Sequence, residues 1–158
     1  MQTRFLDGIT IRPLRNGDTE TVCALFERLG EESLRHRFGA AKPRLTDPEL
    51  AQLARVDGTH HALVAYVDGD PLPAGVARLA RDGATAEVAF AVADEYQGRG
   101  IGRVLVEELA TVARAAGIRE LHAIVVGENP RVVSLISRVA GYREARWDGG
   151  NLELVVGL

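Results

Sequence analysis

Residues Gln97-Gly98-Arg99-Gly100-Ile101-Gly102 alternate glycine with other residues, between a strand-like apolar stretch, Val88–Val92, and a long amphipathic helical pattern. A glycine turn between a strand and a helix brings backbone N–H groups together, with the positive end of the helix dipole behind them. It is suited to holding a phosphate or pyrophosphate. A Walker loop needs Gly-Lys-Ser/Thr to reach terminal phosphates and magnesium, but Arg103-Val104 follows Gly102. A Rossmann fingerprint needs a third glycine where Arg103 stands, and it opens a βαβ repeat rather than coming late in a chain.

The elements that must position this loop can be read from periodicity and punctuation. Ile9-Thr10-Ile11-Arg12 alternates as a half-buried strand does. Asp18 is expected to cap a helix over 19–29 ended by Gly30, with a second helical piece over 31–37. Asp47-Pro48-Glu49 reads as N-cap, N1 proline and first-turn acid of a helix running to about Val56. Ala62–Val67, Ala74–Ala80 and Thr85–Ala93 form an antiparallel meander, turned at Gly69-Asp70-Pro71 and Asp82-Gly83. After the loop, Ile101, Val104, Leu105, Leu109, Val112, Ala113 and Ala116 share one helical face, and Gly117 ends the helix. Leu121–Val126 is a strand too apolar for an edge. Asn129-Pro130 opens a last helix to about Ala140, which Gly141 ends, and a hairpin over 142–147 and 152–156 turns at Asp148-Gly149-Gly150. The class is a mixed α/β (α+β) sheet of about seven strands with about four helices, in a single domain over 1–158.

Composition agrees with one soluble globular domain: 158 residues, 46% hydrophobic, 26% charged, net charge −3. Nothing in the charge points to nucleic acid. A lone cysteine, Cys23, excludes an intrachain disulfide and reads as a small core residue. No histidine or cysteine spacing fits a metal site; His60 and His61 open a strand, and His36 and His122 stand isolated. No signal peptide or membrane span is visible, so a cytoplasmic location without membrane partners is the default. Trp147 and Tyr142 read as packing residues.

Gln97, Gly100 and Gly102 fill the pattern Gln/Arg-x-x-Gly-x-Gly/Ala. With that loop, this element order, the acidic residue on the preceding strand and the asparagine after Leu121–Val126, the chain resembles the GNAT acetyltransferase superfamily from Ile9 to Val156. The resemblance implies acetyl-CoA as co-substrate. It places the pyrophosphate against the amides of Gln97, Gly98, Arg99, Gly100, Ile101, Gly102 and Arg103, with added charge from Arg99 and Arg103. It also implies that the strands over 85–93 and 121–126 splay to admit the pantetheine arm, bonded by the backbone of Ala91 and Val92 and touched by Asn129 from the other side. Asn129 is equally readable as a plain N-cap.

Acetyl transfer to an amine needs a neutral nucleophile. A lysine of pKa ~10.4 is neutral at pH 7 about once in 2,500 molecules, a deficit of roughly 4.6 kcal/mol. In lysine-acetylating members of the superfamily a glutamate at about the position of Glu87 is the general base. By alternation Glu87 shares a face with Ala89 and Ala91, unless a bulge changes the parity. Many members carry a tyrosine acid on the last helix, but Ile136 stands at that place; Ser134 and Ser137 read as helix-surface residues. Ile11-Arg12-Pro13-Leu14, Leu34-Arg35-His36-Arg37-Phe38, Leu45-Thr46-Asp47, Ala62-Leu63-Val64-Ala65 and Ala86-Glu87-Val88-Ala89-Phe90 resemble the bacterial Pat-type protein lysine acetyltransferases. That branch implies a protein lysine acceptor, with acyl-CoA synthetases among its targets. A small-amine acetyltransferase and a non-catalytic acyl-CoA sensor are the alternatives. Dimers are common in the superfamily, and Leu152–Val156 is the segment that could be paired or exchanged in one.

Overall fold

A computed structural model of the chain describes residues 2–30, 44–126, 130–139, 142–149 and 151–158. Among these residues eight strands form one sheet in the order β1-β2-β3-β4-β5-β6-β8-β7. They are β1 (Arg4–Leu6), β2 (Ile9–Pro13), β3 (His60–Val67), β4 (Gly75–Asp82), β5 (Thr85–Val92), β6 (Glu120–Val126), β7 (Tyr142–Asp148) and β8 (Asn151–Gly157). The helices are α1 (Thr19–Phe26), α2 (Asp47–Leu53), α3 (Ile101–Ala115) and α4 (Pro130–Ser137), and a 3-10 turn covers Asp94–Tyr96. Among the described residues only β5 and β6 run parallel. Their connection needs a crossover, which α3 supplies.

One face of the sheet is the core. Leu63, Ala77, Leu79, Val88, Leu121, Leu154 and Val156 pack there against Ile101, Leu105, Leu109 and Ala113 of α3 and Ile136 of α4. The i, i+4 and i+8 spacing of Ile101, Leu105 and Leu109 puts all three on one stripe of α3, each at most 2% exposed. On the opposite face, Leu14, Ala62 and Val64 pack with Val22 of α1 and with Val56, Tyr66 and Val76. That apolar patch covers β2–β4. Farther along the same face Glu87, His122, Val155 and Glu144 stand in register, with Glu153 and Arg146 paired two residues along.

Several sequence expectations need correction. The sheet has an eighth strand, β1, paired along Arg4–Leu6 with β2. The cap of α2 is Thr46, not Asp47. Its hydroxyl accepts from the Glu49 N–H at 3.4 Å, and the Glu49 carboxylate accepts from the Thr46 N–H at 2.8 Å, a reciprocal pair that outcompetes a cap one residue later. Helices α1 and α2 end at Phe26 and Leu53, shorter than their apolar patterns suggest. Cys23 is only half-buried, with its thiol toward Glu27. Trp147 is 64% exposed, because its strand is the sheet edge. Strand β8 is paired on both sides within its own chain, so it offers no free edge for exchange. The register of β4 with β5 runs unbroken from Gly75–Val92 to Asp82–Thr85, so no bulge changes the parity of Glu87. The helical piece at 31–37, Asn129, Gly141 and Gly150 lie outside the described residues.

Candidate active site

The glycine loop follows directly from the end of β5. After Asp94–Tyr96 the chain turns at Gly98 (φ 77°) and Gly100 (φ 85°), backbone conformations that a Cβ disfavours. Gly100 is the N-cap of α3, and no side chain caps the helix there. The first intrahelical bond runs from the Val104 N–H to the Gly100 carbonyl at 3.1 Å. The amides of Ile101, Gly102 and Arg103 are therefore left as outward donors at the positive end of a fifteen-residue helix. Ile101 contributes backbone alone, since its side chain is core. Gly102 is small for another reason: a Cβ there would stand 3.0 Å from Leu135 Cδ1 of α4. Arg99 is exposed and lies over the Tyr96 ring, 5.5 Å from its centroid. Arg103 pairs with Glu107 one turn on, at 3.1 Å.

Beside the loop the sheet splits. Strands β5 and β6 pair from Thr85–Glu120 to Val88–Ala123 and no farther, while both strands run on to Val92 and Val126. Each remains bonded on its outer side, β5 to β4 as far as Val92 and β6 to β8 as far as Val126. The result is a V with its apex at Val88. The bond from the Ala93 N–H to the Ala74 carbonyl, 2.8 Å, sets the alternation along β5. The peptide groups of Ala91 are turned into the ladder with β4, and those of Phe90 and Val92 face the opening. Gln97 spans its mouth. Its Nε2 donates to the Val92 carbonyl at 3.2 Å, and its Oε1 accepts from Arg131 Nη1 of α4 at 2.9 Å.

A buried cation braces the loop from behind. Arg28, its side chain 12% exposed, donates to Asp70 Oδ2 at 2.8 Å and to the Pro73 carbonyl at 3.0 Å, and it pairs with Glu95. The Tyr96 hydroxyl donates to the same Asp70 oxygen at 2.7 Å. That bond, the Leu72 amide and Arg28 together hold the Asp70 carboxyl down to about 2. Asp70 in turn pushes the Tyr96 phenol up. Arg28 is raised above its ordinary range by Glu95, Asp70 and Tyr96 against the opposing effect of burial. A Cβ at Gly30 would crowd the Asp94 carboxylate. The end of α1, the β3–β4 turn and the start of the glycine loop are thus tied at one point. Nothing in the sequence marked this cluster, since Arg28 meets partners 42 and 67 residues away.

At the apex, Glu87 is exposed on the face opposite the α3 core. Among the described residues no side chain bonds its carboxylate. Its register partner on β6 is His122. That imidazole is not isolated: Nε2 lies 2.6 Å from Glu120 Oε1 and Nδ1 3.4 Å from Glu153 Oε1. On β7, Arg146 is held by Glu144 at 2.7 Å, and Glu144, Glu153 and Glu120 all raise its pKa. The alternation Glu120-Leu121-His122-Ala123 was the available signal for a polar face here. Ile136 is 1% exposed and offers no hydroxyl, and the Ser137 hydroxyl bonds back to the Val133 carbonyl at 2.7 Å. Among the described residues no group of three or more potential ligands could hold a metal ion, and no helix is long and apolar enough to cross a membrane.

The Acetyltransferase (GNAT) family model matches residues 23–142. Acetyltransferase Pat of Mycolicibacterium smegmatis is 32% identical over 143 residues, which are 88% of this chain and 43% of that protein. Acetyltransferase PA5475 of Pseudomonas aeruginosa is 33% identical over 121 residues, 73% of this chain and 65% of that one. The chain thus spans less than two thirds of both relatives. The crystal structure of the GNAT domain of S. lividans PAT superposes with a TM-score of 0.84 at 29% identity, covering 95% of this chain and 90% of that one. Family model, relatives and fold agree: the chain belongs to the GNAT acetyltransferase family and is similar within it to Pat.

Proposed function

We propose that the chain transfers an acetyl group from acetyl-CoA to the side-chain amine of a protein lysine, with Glu87 as the general base. One observation carries this reading: Glu87 precedes Val88, the apex of the opening, so the strand that would hold the thioester also presents a carboxylate free of described partners. In this reading the pyrophosphate lies on the amides of Gln97, Gly98, Arg99, Gly100, Ile101, Gly102 and Arg103. The pantetheine arm enters the V, where the N–H groups of Phe90 and Val92, rather than those of Ala91, are oriented to receive it. Asn129, three residues after the end of β6 in the sequence, is the residue that the resemblance sets against the arm. Ala89 and Ala91 leave room on the Glu87 face for the incoming amine.

The Glu87 carboxylate takes one proton from the lysine ammonium, directly or through water, and the amine adds to the thioester carbonyl. The C–S bond breaks as the carbonyl re-forms, and the second nitrogen proton passes to the departing sulfur, giving amide and thiol. No tyrosine stands on α4 to protonate the sulfur, and a thiol of pKa ~8.5 leaves tolerably as thiolate. The carboxylates of Glu120, Glu144 and Glu153 around the site favour a cationic acceptor. The test is acetyl-CoA turnover against lysine-containing proteins and peptides and against small amines, read by mass spectrometry, with the wild type and Glu87→Gln. Turnover on small amines alone would reject the protein acceptor. Tight acetyl-CoA binding without turnover on any amine would make the chain a sensor.

A further inference from the structure

His122 is the register partner of Glu87 on β6 and shares its face, and two carboxylates engage both of its ring nitrogens. Glu87 and His122 stand side by side on adjacent strands, about 5 Å apart at the backbone. Their side chains leave the same face, so the carboxylate and the imidazole can meet directly or across one water. The charged groups facing His122 are Glu87 from β5, Glu120 from its own strand, Glu153 from β8, and Glu144 with Arg146 from β7. Arg146 is held by Glu144 and also feels the Glu153 and Glu120 carboxylates. Each ring nitrogen has a carboxylate within reach, so a proton taken up at the ring has an acceptor through which to leave.

We infer that His122 is a relay residue that carries the proton away from Glu87. The inference rests on Glu87 being the base. The lysine ammonium gives one proton to the Glu87 carboxylate. The nitrogen adds to the carbonyl, the C–S bond breaks, and the second nitrogen proton ends on the departing sulfur, giving amide and thiol. Glu87, now a carboxylic acid, passes its proton to neutral His122. The imidazolium, held between Glu120 and Glu153, releases that proton to bulk water, and both residues are reset. Glu87 regains its charge without giving the proton back to the acceptor.

The experiment is a kinetic cycle on the full chain: kcat and KM for wild type, Glu87→Gln, His122→Ala and the double variant, with acetyl-CoA and a lysine peptide that the wild type acetylates. His122→Ala is expected to lower kcat roughly tenfold, below the 10²–10⁴ range of a direct acid–base group. Both KM values should stay within about twofold, and added imidazole should restore part of the rate. In the Glu87→Gln background the same substitution should change nothing, because there is no proton to relay. Equal fold losses in both backgrounds, or a wild-type kcat in His122→Ala, would overturn the relay. A wild-type kcat in Glu87→Gln would instead overturn the base itself, so the two failures are distinguishable. Glu120→Gln, which keeps the imidazole, carries the same comparison if His122→Ala does not fold: a loss beside Glu87 and none beside Gln supports the relay, and equal losses reject it.

Discussion

Strand β5 changes character at Val88. Before it, Thr85–Val88 is bonded on both sides and shows Glu87 to a cluster of charged side chains; after it, Ala89–Val92 is bonded to β4 alone and runs into the glycine loop. The open half is a backbone device. Its donors are peptide N–H groups, set by two positive-φ glycines and by an uncapped helix. The paired half is a side-chain device, assembled from β5, β6, β7 and β8 by register. In the proposed reaction one half serves a ligand whose phosphates and amides look alike in every turnover, the other the proton chemistry on the acceptor. Substitutions in the two halves should therefore separate KM for acetyl-CoA from kcat.

The largest effect is expected on the paired half. Glu87→Gln keeps the shape of the side chain and removes the base, so kcat should fall by about 10² or more while KM for acetyl-CoA stays within twofold. Steady-state kinetics at saturating peptide measures this. A change in KM for acetyl-CoA with kcat intact would erase the division at Val88.

On the open half, Arg28→Ala should act from a distance. It removes the cation that Asp70 and Glu95 share and loosens the turn that launches the loop. The expected cost is about 2 kcal/mol of stability, read by urea denaturation, with KM for acetyl-CoA raised several-fold and kcat at saturation little changed. Gly100→Ala should follow with a smaller cost. An L-residue at φ 85° loses about 1 kcal/mol, and KM for acetyl-CoA should rise about fivefold because the amides behind the phosphate are displaced. If Gly100→Ala lowered kcat instead, the loop would be part of the chemistry rather than of binding.

This division also explains what could be read from the residues alone. The loop, the helix it opens and the strands flanking it are local: Gln97, Gly100 and Gly102 lie within six residues, and the apolar stripe of α3 follows at once. The order of elements was legible for the same reason, and so was the likeness to a family whose sheet splays at this place. Contacts of high sequence separation were not. His122 looked isolated, because Glu153 becomes its neighbour only when β8 pairs with β6. Arg28 meets Asp70 and Glu95 only once the β3–β4 turn and the end of β5 have come together over α1. Trp147 looked like core, because an edge position depends on β8 lying between β6 and β7, which no pattern within the last hairpin encodes.

The smallest expected effect tests whether the brace behind the loop is electrostatic. Asp70 is lowered from its ordinary 3.8 to about 2, first by the Tyr96 hydroxyl, then by the Leu72 amide and Arg28. A carboxyl whose folded pKa lies below its unfolded value stabilises the fold above the unfolded pKa. That contribution is lost as pH falls through the folded one. The window therefore runs from about pH 4 down to about pH 2. Asp70→Asn keeps the size and one acceptor oxygen but carries no charge at any pH. Urea midpoints of the two proteins should differ at pH 7 and pH 5 and converge across that window, because the wild type becomes neutral at Asp70 there and the variant does not change. A difference that stayed constant from pH 5 to the acid end would show that hydrogen-bond shape alone braces the loop. Arg28 would then position Tyr96 and the glycine turn without help from the Asp70 charge, and donor-side binding would be insensitive to acid over the same range.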